Sequence, residues 1–173
     1  MKPAVMITQI MQVDPQEFVD QGIKVILSDL DNTLVPWNQK QRLDQRLLDW
    51  NQKLKAHDIE LVIVSNNNEQ RVLLAVQGLA VKVVARALKP LPFAMKRYLR
   101  SHHVSTNEVV MVGDQLLTDV LAGNLAGIRT ILVKPLVPTD SKKTRINRLI
   151  ERPLMWINSR LYPQLKWRKH LHE

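Results

Sequence analysis

Short apolar runs alternate along the chain with longer segments whose apolar residues recur at helical spacing. The runs predict buried strands, because both faces of a parallel sheet are covered and its strands are apolar throughout. The longer segments predict helices; after the first strand, Leu43, Leu47, Trp50 and Leu54 share one helical face. The predicted strands are 23–30, 59–66, 81–85, 107–114 and 128–134, and the predicted helices are 41–57, 68–79, 90–103 and 116–127.

A further helix is predicted before the first strand. Asp14 suits its N-cap, Pro15 its first position, Glu17 the capping box and Gly22 its end. Strands that alternate with helices indicate repeated βαβ units. The sequence therefore predicts an α/β fold, a Rossmann-like three-layer α/β/α sandwich with a mostly parallel sheet.

The prolines and the change of charge in 134–143 predict a boundary between a core, residues 1–138, and a basic amphipathic tail, residues 139–173. The tail holds nine of the 25 Lys and Arg residues but only three acidic residues, in a chain of net charge +9. Pro153 predicts two short helices in the tail, about 144–152 and 153–161, rather than one.

Two interpretations of the tail stay open. Residues 144–161 favour helices packed on the sheet with their charges outward, whereas the tryptophan and basic residues of 166–172 favour contact with an anionic membrane surface. RNA would also attract these charges, although nucleic acid is the less favoured partner. Oligomeric state leaves no mark in the sequence.

Composition narrows the class of protein. The 173 residues suit one domain, and the absence of cysteine excludes disulfides and thiolate metal sites. No apolar run reaches the roughly 18 residues of a spanning helix, and no signal-peptide pattern is present. We therefore expect a cytoplasmic protein, with peripheral contact at the inner face of a membrane as an extension of that expectation.

Polar residues stand at the carboxyl ends of the predicted strands, where open α/β sheets bind ligands. They are Asp29 and Asp31, Ser65 and Asn66, Lys89, and Asp114 with Asp119 one helical turn later. Two like charges about 4 Å apart repel by about 4 kcal/mol at an effective dielectric near 20. Four clustered acids beside one lysine therefore predict a divalent cation, and oxygen ligands favour Mg²⁺. A metal ion beside a lysine predicts a phosphate site.

These residues carry a resemblance to a known family. "DLDNTL" (29–34) resembles motif I of the haloacid dehalogenase-like (HAD) phosphohydrolases, Ser65 motif II, Lys89 motif III, and "GDQLLTD" (113–119) motif IV. The longer strings "DLDNTLVPWN" and "GDQLLTDVLAGN" are similar to the capless subfamily III, YqeG-type branch, relatives of the mitochondrial phosphatidylglycerophosphate phosphatases. The resemblance covers roughly residues 20–135 and implies the HAD-like fold.

The chemistry and the resemblance together suggest a role for each residue. Asp29 is expected to be the nucleophile and Asp31 the general acid and base. The resemblance implies Mg²⁺ ligation by Asp29, Asp114 and the backbone carbonyl of Asp31. Asp119 is expected to ligate through water or to orient the ligands, and Thr33 to brace the loop. Lys89 and Ser65 are expected to hold phosphoryl oxygens, with Asn66 assisting.

The short spacing between the motifs leaves no room for a cap domain, so an open site and a phosphate displayed on a large substrate are expected. The favoured function is dephosphorylation of phosphatidylglycerophosphate, a lipid headgroup substrate, in phosphatidylglycerol biosynthesis. One alternative is a phosphatase for nucleic-acid ends, phosphoproteins or soluble phosphoesters. Another is a non-catalytic partner of a ribosome-assembly GTPase.

Overall fold

A computed structural model describes residues 2–37, 43–137 and 142–172. Its centre is a seven-stranded sheet in which all paired strands are parallel. The strands are β1 (Val5–Ile7), β2 (Val25–Ser28), β3 (Glu60–Val64), β4 (Lys82–Val84), β5 (Val109–Gly113), β6 (Arg129–Val133) and β7 (Trp167–Arg168).

Helices connect the strands. They are α1 (Pro15–Asp20), α2 (Gln45–Ala56), α3 (Glu69–Ala75), α4 (Phe93–Ser101), α5 (Leu121–Ala126) and α6 (Lys142–Leu161), with 3₁₀ turns at Ile10–Gln12 and Thr106–Glu108. Leu116–Val120, just before α5, is a π-helical turn. At α1, Asp14 and Glu17 form the predicted capping box, with Pro15 in the first turn.

The two faces of the sheet bury different side chains because these alternate along each strand. On one face, Ile26 and Ile63 belong to a core cluster with Trp50 of α2. On the other, Leu27 and Val62 join a second cluster built on α4 and α5. The predicted three-layer α/β/α sandwich is confirmed.

The strand order β4-β3-β2-β5-β6-β1-β7 puts the site at the centre of the sheet. The chain moves outward from β2 through β3 to β4, then crosses back to β5 on the other side of β2. The crevice between β2 and β5 is therefore a topological switch point, where sheets of this kind bind ligands. Asp29 follows β2 and Asp114 follows β5.

Two strands were not predicted. β1 has three residues and β7 two, and they pair with each other beside β6. Trp167 and Arg168, in the segment for which membrane contact was predicted, are therefore part of the sheet edge. Leu171 is buried, and its backbone N–H donates to Glu17. These contacts tie the last described residues to the core.

The prediction that Pro153 divides the tail into two helices was wrong, because α6 is continuous through it. An internal proline costs a helix about 3 kcal/mol through its missing N–H and its ring. Packing holds both halves together: Glu151 is buried and accepts a hydrogen bond from Leu117 N, and Leu154 and Met155 pack against a cluster that contains Leu116. Among the described side chains of α6, these three pack inward as the packed-helix interpretation expects, whereas Trp156, Ile157 and Leu161 are exposed.

The expected absence of a cap domain is confirmed for the described residues, since only α2 separates β2 from β3 and only α3 separates β3 from β4. Residues 41–42 of the predicted helix 41–57 and residues 138–141 of the proline-containing boundary 134–143 lie outside those residues. In the ranges that the structure describes, no helix combines the length and hydrophobicity that crossing a bilayer requires.

Candidate active site

The loop after β2 turns within a few residues and thereby aims Asp29 into the switch-point crevice. Asp29 N still donates to Val112 O of β5 at 2.9 Å, so this residue continues the sheet. Asn32 then adopts a left-handed conformation with φ 64°, which asparagine tolerates better than most residues. The amides of Leu34 and Val35 both return to Leu30 O. The loop is therefore closed tightly by its own backbone.

Lys89 lies between two carboxylates. Its Nζ donates to Asp29 Oδ1 and to Asp119 Oδ1, each at 2.7 Å, and its side chain is only 2% exposed. The three residues come from segments that are distant in sequence, so the fold has gathered them as the strand-end pattern predicted.

The buried charges shift one another's pKa. Burial raises the pKa of Asp29 to about 7, because desolvation and the Asp119 charge outweigh the Lys89 ammonium. Burial alone would lower the pKa of Lys89, but the charges of Asp119 and Asp29 hold it above its ordinary value. Lys89 is therefore a permanent cation in this site.

Asp119 reaches the site because the neighbouring strand ends in glycine. A Cβ on Gly113 would collide with the Asp119 side chain. Asp119 Oδ2 also accepts from Gln115 N at 3.1 Å, which fixes the carboxylate across the π-helical turn. Glycine at 113 thus allows a carboxylate from the following helix to lie directly beside the strand.

Asp29, Asp114 and Asp119 are all buried, and each offers a carboxylate oxygen within 4.8 Å of the others. When all three carboxylates are ionised beside one ammonium, the net charge is −2, which a divalent cation would neutralise. Hard oxygen donors are the ligands that Mg²⁺ prefers. The donor set and its charge therefore fit a divalent metal ion. Thr33 Oγ1 lies 3.4 Å from Asp114 Oδ1, so the motif I loop also contacts this ligand.

Ser65 and Asn66 lie at the end of β3 in different environments. Ser65 is buried, and its hydroxyl oxygen accepts from Asn67 N at 3.2 Å. The Asn66 amide pairs with the backbone of Lys89, accepting from Lys89 N at 2.7 Å and donating to Lys89 O at 2.9 Å. This geometry makes Asn66 a positioning residue for Lys89, whereas phosphate contact by Asn66 stays a prediction.

The Asp31 carboxylate lies outside the acidic cluster. Its Oδ2 accepts from Asn67 Nδ2 at 2.7 Å and its Oδ1 from Arg71 Nη2 at 2.8 Å. Arg71 also donates to Trp37 O at 3.3 Å. The predicted metal contact of Asp31 involves its backbone carbonyl, so the position of the carboxylate does not bear on that contact, and the acid and base role of the carboxylate stays a prediction.

Sequence reasoning missed Asn67 and Arg71 as site residues. Asn68 caps α3 through Arg71 N, so this helix starts at the rim of the site and carries Arg71 one turn along. The cap could be recognised from "SNNNEQR" (65–71), but the contact with Asp31 depends on how β2 and β3 lie side by side.

The fold and the acidic cluster define a Rossmann-like α/β protein with a metal-compatible site and, in the described residues, no cap domain. A family model described as HAD-hydrolase-like matches residues 87–148. The chain is 40% identical over 153 residues to the probable phosphatase YqeG of Bacillus subtilis (strain 168), and the alignment covers 88% of each protein. The chain therefore belongs to the HAD-like phosphohydrolase superfamily, in its YqeG-type branch, and its enzyme class is that of a phosphatase.

Solved structures share the fold. A predicted phosphoglycolate phosphatase from Haemophilus somnus 129pt is 17% identical with a TM-score of 0.51, over 64% of this chain and 85% of that one. A hydrolase from Streptococcus pneumoniae TIGR4 is 13% identical with a TM-score of 0.52, over 75% of this chain and 99% of that one. At such identities the likeness concerns the fold alone.

Proposed function

We propose that the protein is a Mg²⁺-dependent phosphomonoesterase that works through an aspartyl-phosphate on Asp29, and that its substrate is phosphatidylglycerophosphate. The observation that carries the chemistry is the buried cluster of Asp29, Asp114 and Asp119, in which Asp29 and Asp119 accept hydrogen bonds from the Lys89 ammonium. The substrate rests on the similarity to the YqeG-type branch and on the absence of a cap over the site in the described residues.

Asp29, Asp114 and the Asp31 carbonyl would hold the metal ion, with Asp119 orienting them. The ion would supply positive charge that neutralises the phosphoryl oxygens. Lys89 binds one of these oxygens from the inner side of the site, and the Ser65 hydroxyl donates to another.

Asp29 attacks phosphorus, the bond to the leaving alkoxide breaks, and Asp31 gives that alkoxide its proton. Asp31 then removes a proton from water, and the resulting hydroxide attacks the aspartyl-phosphate. Inorganic phosphate leaves, and the Asp29 carboxylate is restored. Asn67 and Arg71 hold Asp31 at the rim, where both the leaving group and water can reach it.

The nucleophile is tested by Asp29→Asn, which keeps the shape of the side chain and removes its charge. We expect hydrolysis of an aryl phosphate to fall by at least about 10³-fold with the fold retained, because an amide cannot attack phosphorus. Asp58→Asn is the matched control, since Asp58 is exposed just before β3, at the amino-terminal ends of the strands and away from the site. Unchanged turnover in Asp29→Asn would refute the assignment.

The substrate is tested with a panel. Phosphatidylglycerophosphate in mixed micelles is compared with a 5′-phosphorylated oligonucleotide, a phosphopeptide and a soluble aryl phosphate. Preference for phosphatidylglycerophosphate supports the proposal. Preference for another member of the panel rejects the proposed lipid substrate but supports the proposed phosphatase reaction. No phosphate release from any of them would favour the non-catalytic GTPase partner.

A further inference from the structure

The loop that delivers Lys89 carries large apolar side chains on the outside of the molecule. Leu88 is 65% exposed and Phe93, the first residue of α4, is 66% exposed. Leu91 between them is 46% exposed. We name these three residues the apical tip. Lys89 turns inward from the same loop to Asp29, so the apical tip lies at the rim of the site.

The backbone holds the loop firmly in this position. Arg86 N donates to Asn67 O and Ala87 N to Ser65 O, each at 2.9 Å, so the loop is tied to the end of β3. Leu91 N donates to Leu88 O at 2.9 Å and closes a turn under the tip. Exposure of three large apolar side chains is therefore a property of an ordered loop, and such patches mark interaction sites.

Basic residues stand directly behind the apical tip. Phe93, Arg97 and Arg100 are exposed at positions i, i+4 and i+7 of α4, and therefore share one face of the helix. Because side chains lean toward the N-terminus of their helix, these guanidinium groups lean toward the tip. Arg86, at the other end of the loop, is also exposed. None of these arginines forms an ion pair within the described part of the chain.

The stretch of sequence that carries the tip contains no acidic residue of its own, although Arg71, Lys82 and Lys89 within it pair with Asp31, Glu60 and Asp29 from other segments. Residues 70–107, which comprise most of α3, all of β4, the Lys89 loop and α4, include seven Lys or Arg and no Asp or Glu. Apolar side chains at the front and cations one to two turns behind match the layering of a bilayer surface, where acyl chains lie below anionic headgroups. A protein partner would have to offer both an apolar pocket and a surrounding acidic ring.

We propose that the apical tip and the arginines behind it dock the protein on a bilayer surface that carries anionic headgroups, with the site opening toward the lipid. This inference rests on the proposed function for its substrate, but the docking is measured without catalysis. It places membrane contact on the site side of the molecule instead of on residues 166–172.

The test is co-sedimentation with vesicles of phosphatidylcholine and phosphatidylglycerol. In Leu88→Asn/Phe93→Ser, asparagine suits the left-handed φ of 56° at position 88, and both side chains are largely exposed, so we expect the fold to be kept. Binding should weaken by about tenfold or more, because two large apolar side chains no longer enter the bilayer. Activity on a soluble aryl phosphate should stay unchanged.

The matched control is Leu125→Ser/Trp156→Ser, which removes two side chains that are 50% and 62% exposed. Leu125 lies at the end of α5, at the opposite edge of the sheet from the site, and Trp156 lies on α6. This control should bind vesicles as the unaltered protein does. Equal loss of vesicle binding in both variants, or unchanged binding in the tip variant, would overturn the proposal. A tip variant that binds vesicles normally and only changes from a dimer to a monomer would overturn it as well.

The contribution of charge to vesicle binding is measured with the double variant Arg97→Gln/Arg100→Gln. Binding to the mixed vesicles should fall several-fold, with no change on phosphatidylcholine alone, because only anionic headgroups attract the guanidinium groups. Equal effects on both kinds of vesicle would contradict the role of charge. Asp29→Asn should bind vesicles as the unaltered protein does, although it should be inactive. Vesicle binding by this variant therefore tests the docking surface separately from the proposed reaction.

Discussion

Two lysines, one buried and one exposed, pair with carboxylates at almost equal distances and allow a direct test of what burial does to an ion pair. Lys89 Nζ lies 2.7 Å from Asp29 and from Asp119, and the lysine side chain is 2% exposed. Lys82 Nζ lies 2.8 Å from Glu60, and that lysine side chain is 49% exposed. Replacing each lysine by methionine keeps most of the side-chain volume and removes the charge.

The expected losses differ by several-fold. Unit charges 2.7 Å apart attract by about 6 kcal/mol at an effective dielectric of 20, but desolvation of the ions offsets much of this. Removing one partner of a buried pair leaves uncompensated charge and costs about 3–5 kcal/mol. Lys89→Met leaves two such carboxylates. An exposed pair is screened by water and contributes about 0–1 kcal/mol, which sets the expected effect of Lys82→Met.

The measurement is urea unfolding of both variants at neutral pH in the presence of EDTA, followed by the same titration with added Mg²⁺. The free energy of unfolding should fall by about 3–5 kcal/mol in Lys89→Met and by about 1 kcal/mol or less in Lys82→Met. Added Mg²⁺ should recover part of the loss in Lys89→Met only. Similar losses in the two variants would refute the conclusion that burial makes the Lys89 pairs decisive.

The remaining predictions concern the glycine of the site and the tail. Gly113→Ala should displace Asp119 and weaken Mg²⁺ binding about 10–100-fold, measured by calorimetry; unchanged affinity would contradict the close approach. Deletion of residues 162–173 should lower the free energy of unfolding by about 2–4 kcal/mol, because it removes β7 and buried Leu171. Equal stability would show that the edge strand is dispensable. Burial raises the pKa of Glu17, but hydrogen bonds from His170 and Leu171 N outweigh it and lower the pKa below 4.5. The stabilisation of the folded state by ionised Glu17 is therefore present above pH 4.5 and lost as the pH falls below it. Glu17→Gln should lower the free energy of unfolding by about 1 kcal/mol near neutral pH and by little in acid, measured by urea unfolding at each pH. A pH-independent difference would contradict it.

The central strands and the site residues on them were predictable because each signal is local. β2, β3 and β5 are continuous apolar runs, and a parallel sheet brings their carboxyl ends to one edge regardless of the details of packing. Asp29, Lys89, Asp114 and Asp119 therefore came together as the strand pattern indicated.

The edge of the sheet was not predictable from the pattern. β1 and β7 have too few residues for any periodicity, and they are defined by their pairing, with β1 lying between β6 and β7. The contact of Arg71 with Asp31 escaped prediction for a related reason, since an exposed arginine on a helix has no local signature of a partner on another strand. The prediction of two tail helices was wrong because the local effect of Pro153 on a helix is outweighed by the packing of α6 against the core.

The pairing of β1 with β7 joins residues near the two ends of the sequence. During synthesis, β2 to β5 and the helix that carries Asp119 emerge from the ribosome well before residue 167. At about 5–20 residues per second, several seconds separate the two events. We expect the catalytic half of the nascent chain to assemble first and the outer edge to close last, so a truncated translation product would expose β1 as an unpaired edge.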